Sequence, residues 1–215
     1  MAASRALTRA LRVVLLAAGV SAVVAAASGT RPARDLQMPW IPNSAQLERL
    51  ARGEVVVIAD VEDSHPQVEA AAAVRIAAPP ERIFRTMTDC AQALEFVPHL
   101  EVCRVLESAP DGSWQIVEQA VDLSWYLPRT DYVFRAEYEP YRRIRFSHVR
   151  GDLRENRGTW ELHPVHEGDA SATILTYRVH VEPRFFTPRW VVRSSLRRDL
   201  PRMLRALRER CEAER

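Results

Sequence analysis

The residues best suited to chemistry fall in two places. His163-Pro164-Val165-His166-Glu167, with Asp169 close behind, is the densest set of metal-ligand side chains. Zinc takes four ligands converging in a tetrahedron. A proline between the two histidines, at a predicted hairpin tip and without helical spacing, does not supply that. No metal and no cofactor is therefore expected. His148 would serve as a general base if a carboxylate oriented it, and Tyr177 or Arg129 could assist a proton transfer. A lone inward histidine is more often a satisfied core residue, so no catalytic residue is assigned. GxSxG, HExxH, Walker and dinucleotide glycine motifs are absent, and the chain has only seven glycines. These absences favour a protein that does no covalent chemistry of its own. Catalysis by pocket shape with one acid or base leaves almost no sequence signature, so that alternative stays open.

The elements that must position these side chains read as an α+β fold. Asn43 or Ser44 caps a short helix, Ala45 to Ala51, stopped at Gly53. Glu54 to Val61 and Val68 to Ala77 read as two strands around the Ser64-His65-Pro66 turn. Pro79-Pro80-Glu81 opens a helix with Ile83, Phe84 and Met87 on its apolar face, ending near Asp89. A second short helix, about Ala91 to Phe96, is closed by Pro98. Six strands follow: 100–108, 114–125, 130–139, 143–149, 153–164 and 171–181. Turn-type clusters separate them, which predicts an antiparallel meander. Pro188 to Glu212 is a long helix whose Val192, Leu196, Leu200, Met203, Leu207 and Cys211 form one stripe. Pro201 either kinks it, or Asp199 caps a restart. There is no internal repeat and no sign of a second domain.

Strand alternation assigns the side chains to faces. Val117, Gln119, Val121, Leu123 and Trp125 share one face. Tyr132, Phe134, Ala136 and Tyr138 share the next, then Ile144, Phe146 and His148. Asn156, Gly158, Trp160 and Leu162 follow, then Leu175, Tyr177, Val179 and Val181. The opposite faces carry Arg135, Glu137, Arg145, Glu161 and Arg178, which prefer water. The inward set is apolar and aromatic, with a few polar groups interspersed. That is the composition of a ligand pocket. It is equally that of a filled core whose polar atoms satisfy one another. Two aromatic clusters, Trp125-Tyr126-Leu127-Pro128-Arg129 and Phe185-Phe186-Thr187-Pro188-Arg189-Trp190, lie at breaks in the pattern. They suit an entrance, or a seal packed onto the domain.

The run Ala77-Ala78-Pro79-Pro80-Glu81-Arg82-Ile83-Phe84, continued by Thr88-Asp89 and by Glu95-Phe96-Val97-Pro98-His99-Leu100, resembles the START-like superfamily. That group includes polyketide cyclases and coenzyme Q-binding proteins. The resemblance covers about residues 53–212. It implies a helix-grip fold, in which a curved antiparallel sheet wraps the long C-terminal helix and two short helices follow the first strand. It also tips the choice between cavity and core toward a cavity. Taken with the strand faces, the helix stripe and the aromatic clusters, it makes Gln119, Trp125, Arg129, Phe134, Tyr138, Phe146, His148, Asn156, Trp160, Tyr177, Trp190, Leu196, Leu200 and Met203 the expected ligand-binding residues. The aromatic inward set and the N-terminal export signal favour non-enzymatic binding or transport of a lipid or other apolar small molecule. The alternatives are a cyclase or aromatase-like enzyme and a protein-interaction module without ligand.

Residues 1–27 carry Arg5, Arg9 and Arg12, then a short apolar run, then Ala25-Ala26-Ala27. These are the three regions of a secretory signal peptide. Cleavage before Ser28 would send the protein to the periplasm or outside the cell. An uncleaved membrane anchor is the competing reading. Residues 28–52 are read as linker and short helix, and 53–215 as the ligand-binding domain. The whole chain has 30 basic and 28 acidic residues, and every basic one is Arg. Without the leader the balance is close to neutral, which argues against a nucleic-acid partner. A transient contact with a membrane surface is the further partner considered. Cys90, Cys103 and Cys211 leave two readings open: one Cys90–Cys103 disulfide in an oxidising compartment, or buried apolar thiols.

Overall fold

The computed structural model describes residues 40–61, 67–122, 129–166, 169–184 and 189–213. The predicted leader, the linker before Trp40, Trp125 and the aromatic cluster 185–188 lie outside these residues. The first element is helix α1, Ser44–Ala51. Asn43 closes its first turn with a capping box. Its side-chain oxygen accepts from the Gln46 amide at 3.0 Å, and Gln46 Oε1 accepts from the Asn43 amide at 2.8 Å. The predicted hairpin forms from β1, Val56–Val61, and β2, Val68–Ile76. Helix α2, Pro80–Thr88, begins on a proline that has no amide to leave unpaired. Helix α3, Cys90–Phe96, follows at once, because the Asp89 carboxylate caps it by accepting from the Ala91 amide at 2.8 Å.

The meander then runs through β3, Leu100–Ser108, β4, Trp114–Val121, and β5, Thr130–Glu139. It continues through β6, Arg143–Gly151, β7, Leu153–His166, and β8, Asp169–Pro183. Helix α4, Arg189–Ala213, ends the fold. The strands form one antiparallel sheet in the order β1-β2-β8-β7-β6-β5-β4-β3. The first hairpin thus joins the last strand, and the sheet curves around α4 as a helix grip. The small side chains of Ala70 and Ala72 leave room for the helix over β2, and Leu204, Leu207 and Cys211 of α4 are fully buried there. On the other face Leu50, Val56 and Ala73 form a small second core, with Trp40 and Ile174 packed against it.

The structure resolves or changes several points that the sequence left. Helix α4 runs through Pro201 without a restart, so Asp199 is not a cap. His163 and His166 stand on β7, with His166 paired to Asp169 at the end of the β7–β8 hairpin, and the two strands extend two residues beyond the predicted ends on that side. Among the described residues no group of three ligating side chains could hold a metal ion. Glu161 points away from the concave face as alternation requires, yet it is only 4 % exposed. Arg143 lies across it at 2.8 Å and turns a predicted solvated acid into a buried ion pair. Finally, Cys90 and Cys103 form a disulfide, with Cα atoms 5.1 Å apart and a sequence separation of 13. Closing a loop of that size is worth about 3 kcal/mol in the chain-entropy description. The disulfide ties α3 to β3, the edge strand. That strand is irregular: its register against β4 shifts between Leu100 and Val102 and again between Val105 and Glu107.

Candidate functional site

The concave face is not filled. Between the sheet, α2, α3 and α4 lies an inner chamber of about 200 Å³. A wider outer chamber of about 350 Å³ adjoins it and is more open to solvent. Tyr132, Asn156, Tyr177, Met203 and Val97 border both chambers and form a waist between them.

The chambers differ in chemistry. The inner one is walled by an aromatic row that crosses four strands. Tyr132 and Phe134 of β5 are followed by Phe146 of β6 with ring centres 6.1 Å apart at each step. Phe146 and Tyr177 are 6.2 Å apart, and Tyr177 stacks on Trp160 at 3.8 Å. Register explains the row. Phe134 follows Tyr132 on β5, Ala136 pairs with Phe146, and Trp160 pairs with Tyr177. Gly158 makes it compatible with the sheet, since a Cβ there would fall 2.6 Å from the Phe146 ring. The outer chamber is aliphatic by contrast, with Val68, Val121, Leu153, Val179, Val181, Pro183, Leu196 and Leu200 in its walls.

Among the described residues no Asp, Glu, Arg or His side chain lines the inner chamber. Its polar groups largely bond one another. Tyr132 donates to Gln119 Oε1 and Tyr138 to Gln115 Oε1, both at 2.8 Å. Gln119 Nε2 donates to Cys103 Sγ at 3.7 Å, so the disulfide is part of the wall. Burial pushes the Tyr132 and Tyr138 hydroxyls up to about 12, and raises Tyr177 further still. All three therefore stay protonated hydrogen-bonding groups at neutral pH. At the outer rim Asp199 of α4 faces His99 at 3.8 Å. His99 holds a left-handed backbone, φ 63°, which aims it from the turn between α3 and β3.

Of the predicted ligand-binding residues, Gln119, Phe134, Tyr138, Phe146 and Trp160 line the inner chamber, and Asn156, Tyr177 and Met203 line the waist. Leu196 and Leu200 line the outer chamber. Two do not reach either chamber. Arg129 is held at the surface by Glu101 at 3.1 Å and Asp131 at 3.2 Å. His148 pairs with Phe134 across a break in register after Val133, and its Nδ1 is buried without a hydrogen bond. Desolvation, then the charge of Arg184, holds His148 below the ordinary imidazole range. Trp125 and the side chain of Trp190 lie outside the described residues. Alternation missed Met87, Thr88, Ala93 and Phe96, which close the chamber from α2 and α3. The available signal was the apolar face of these two short helices.

The curved sheet gripping a terminal helix over an enclosed cavity defines the START-like class. Within it, the chain belongs to the polyketide cyclase/dehydrase and lipid transport family, whose sequence pattern matches residues 76–208. No curated protein matches the chain by sequence. Solved structures of similar fold include a STAR-related lipid transfer protein from Xanthomonas axonopodis. It is 20 % identical, with 73 % of this chain and 93 % of that one covered, at a TM-score of 0.61. An aromatase/cyclase from Streptomyces sp. R1128 is 18 % identical, with 69 % and 95 % covered, at 0.58. Human StAR-related lipid transfer protein 5 is 14 % identical, with 79 % and 91 % covered, at 0.59.

Proposed function

We propose that the protein binds and carries an apolar small molecule or lipid in the two-chambered cavity, without transforming it. The observation that carries this reading is the inner wall: an aromatic row with no carboxylate, imidazole or guanidinium among its described lining side chains. Proton transfer at neutral pH wants a group that titrates near neutrality, and the tyrosines there are held far above it. The family and the fold suit lipid binding and cyclisation alike, and this lining favours the first.

The reading extends to location. The leader at residues 1–27 would export the chain, and the Cys90–Cys103 disulfide supports an oxidising compartment such as the periplasm. N-terminal sequencing of the protein from its native host is expected to begin at Ser28. Retention of residues 1–27 in a membrane fraction would replace export by anchoring. A carrier must also meet a donor surface, and the outer chamber with its aliphatic walls is the end suited to a membrane.

Organic extraction of the purified native protein, followed by mass spectrometry, tests the binding itself. An apolar molecule in near-stoichiometric amount is expected. An empty protein that also takes up no apolar probe would end the proposal. Steady turnover of a co-purified compound into a cyclised or dehydrated product would favour the enzymatic alternative.

A further inference from the structure

The waist of the cavity carries a polar group with no partner. Asn156 stands on β7 with 7 % of its surface exposed, and it borders both chambers. Its neighbours at the waist are Tyr132, Tyr177, Met203 and Val97. Among the described residues its amide makes no hydrogen bond, whereas Tyr132, Tyr138, Gln119 and Thr88 of the same cavity each have one. Its amide atoms are not among the side-chain atoms sealed from solvent without a partner, so the amide is open to whatever occupies the cavity. An apolar residue would serve better if Asn156 only filled space.

The two chambers set what lies on either side of this amide. An apolar cavity of roughly 150 Å³ takes up one benzene ring, and the aromatic inner chamber, at about 200 Å³, is of that order. Beyond the waist the aliphatic outer chamber suits a flexible chain. Among the described residues no charged side chain stands at the waist or within, and an ion there would be desolvated without a counter-charge. The Asp199–His99 pair lies at the rim of the outer chamber, past the waist.

We infer that the ligand is uncharged and carries a carbonyl or hydroxyl group between a ring-bearing end and an apolar tail, and that Asn156, with Tyr177, receives that group. This rests on the binding reading above and adds an orientation: ring inward, polar group at the waist, tail outward. Asn156 acts here as a specificity-determining residue.

A dimethylaminonaphthyl ketone with a dodecanoyl tail (laurdan) has this outline, and its emission reports hydrogen bonding to the ketone. It would be titrated against the wild-type protein and against Asn156→Leu and Tyr177→Phe. The controls are the dodecylnaphthalene without the ketone, and anilinonaphthalene sulfonate, which carries a fixed negative charge. Wild type is expected to bind laurdan with emission shifted as for a hydrogen-bonded ketone, and to bind the sulfonate at least tenfold more weakly. Asn156→Leu should weaken laurdan about tenfold, abolish the emission shift and leave dodecylnaphthalene unchanged. The ligand-free Asn156→Leu protein should melt no lower than wild type, because an unpartnered amide has been removed. Unchanged laurdan affinity in Asn156→Leu, or a lowered melting temperature without ligand, would overturn the role of Asn156. Equal binding of the sulfonate would overturn the requirement for a neutral ligand. Binding of no probe by wild type, with no extractable ligand, would instead remove the binding reading on which the inference stands.

Discussion

In the second half of α4, Leu204, Leu207 and Cys211 have no exposed surface. Before Leu204 on the same helix, Leu196 and Met203 keep part of theirs, and both line the cavity. Both sets belong to one apolar stripe at helical spacing. The difference comes from what lies opposite. The buried half meets β2 and α2, where Ala72, Val74, Ile76 and Ile83 close the gap. The lining half meets β7 and β8 across the two chambers. One end of the helix therefore anchors the fold, and the other serves as a wall whose far side is empty. A periodic stripe records that a helix has an apolar face, not whether protein or ligand covers it.

Substitutions that separate the two ends test this contrast. Leu207→Ala, at the anchored end, is expected to cost about 2–5 kcal/mol. In a domain of this size that lowers the melting temperature by roughly 2–4 °C per kcal/mol. A loss below about 1 kcal/mol would mean that the closed end is not closed. Gly158→Ala, in the wall opposite α4, would put a Cβ 2.1 Å from the Arg178 backbone oxygen and 2.6 Å from the Phe146 ring, and is expected to cost about 3 kcal/mol or more. It should also weaken probe binding, because the displaced ring moves into the inner chamber. Unfolding curves that match wild type would remove the glycine from the account of the aromatic row. Met203→Ala, at the waist, should cost less than about 2 kcal/mol, below the usual range for a buried deletion. Its main effect should be a change in probe affinity or selectivity. A stability loss equal to that of Leu207→Ala would erase the distinction between the two halves. The smallest effects belong to Arg129→Ala and His148→Gln, neither of which borders a chamber. Both should leave probe affinity within about twofold of wild type, as read by the same fluorescence titration.

Much of the fold was legible because each boundary carries its own chemistry. Pro80 opens α2, Asp89 caps α3, and turn-type residues separate the strands of the meander. Period-two reading placed Phe134, Phe146, Asn156, Trp160 and Tyr177 on the concave face correctly, because a residue cannot change face without a change of register. His148 shows the limit: it pairs with the inward Phe134 yet lines neither chamber, because alternation gives the face of a residue and not how far along the strand the cavity reaches. Arg129 was misjudged for a different reason. Its acidic partners Glu101 and Asp131 come from other parts of the fold or lie too close in sequence to look decisive. The contribution of α2 and α3 to the cavity depends on how the short helices are docked, which helical spacing alone does not encode. The pairing of Cys90 with Cys103 was open until the helix and the strand were placed side by side.

The uneven register of β3 has a meaning for the molecule at high concentration. β3 is an outer strand, with Val105 and Leu106 exposed on it. A straight strand of that kind invites a second chain to add on and seed fibrils. Two shifts within nine residues break the regular row of amides and carbonyls that an incoming strand would need. The disulfide at Cys103 pins the same strand near its start. Straightening β3 by deleting the extra residue at Leu106 should therefore promote self-assembly while the cavity persists, which light scattering of the concentrated protein would detect.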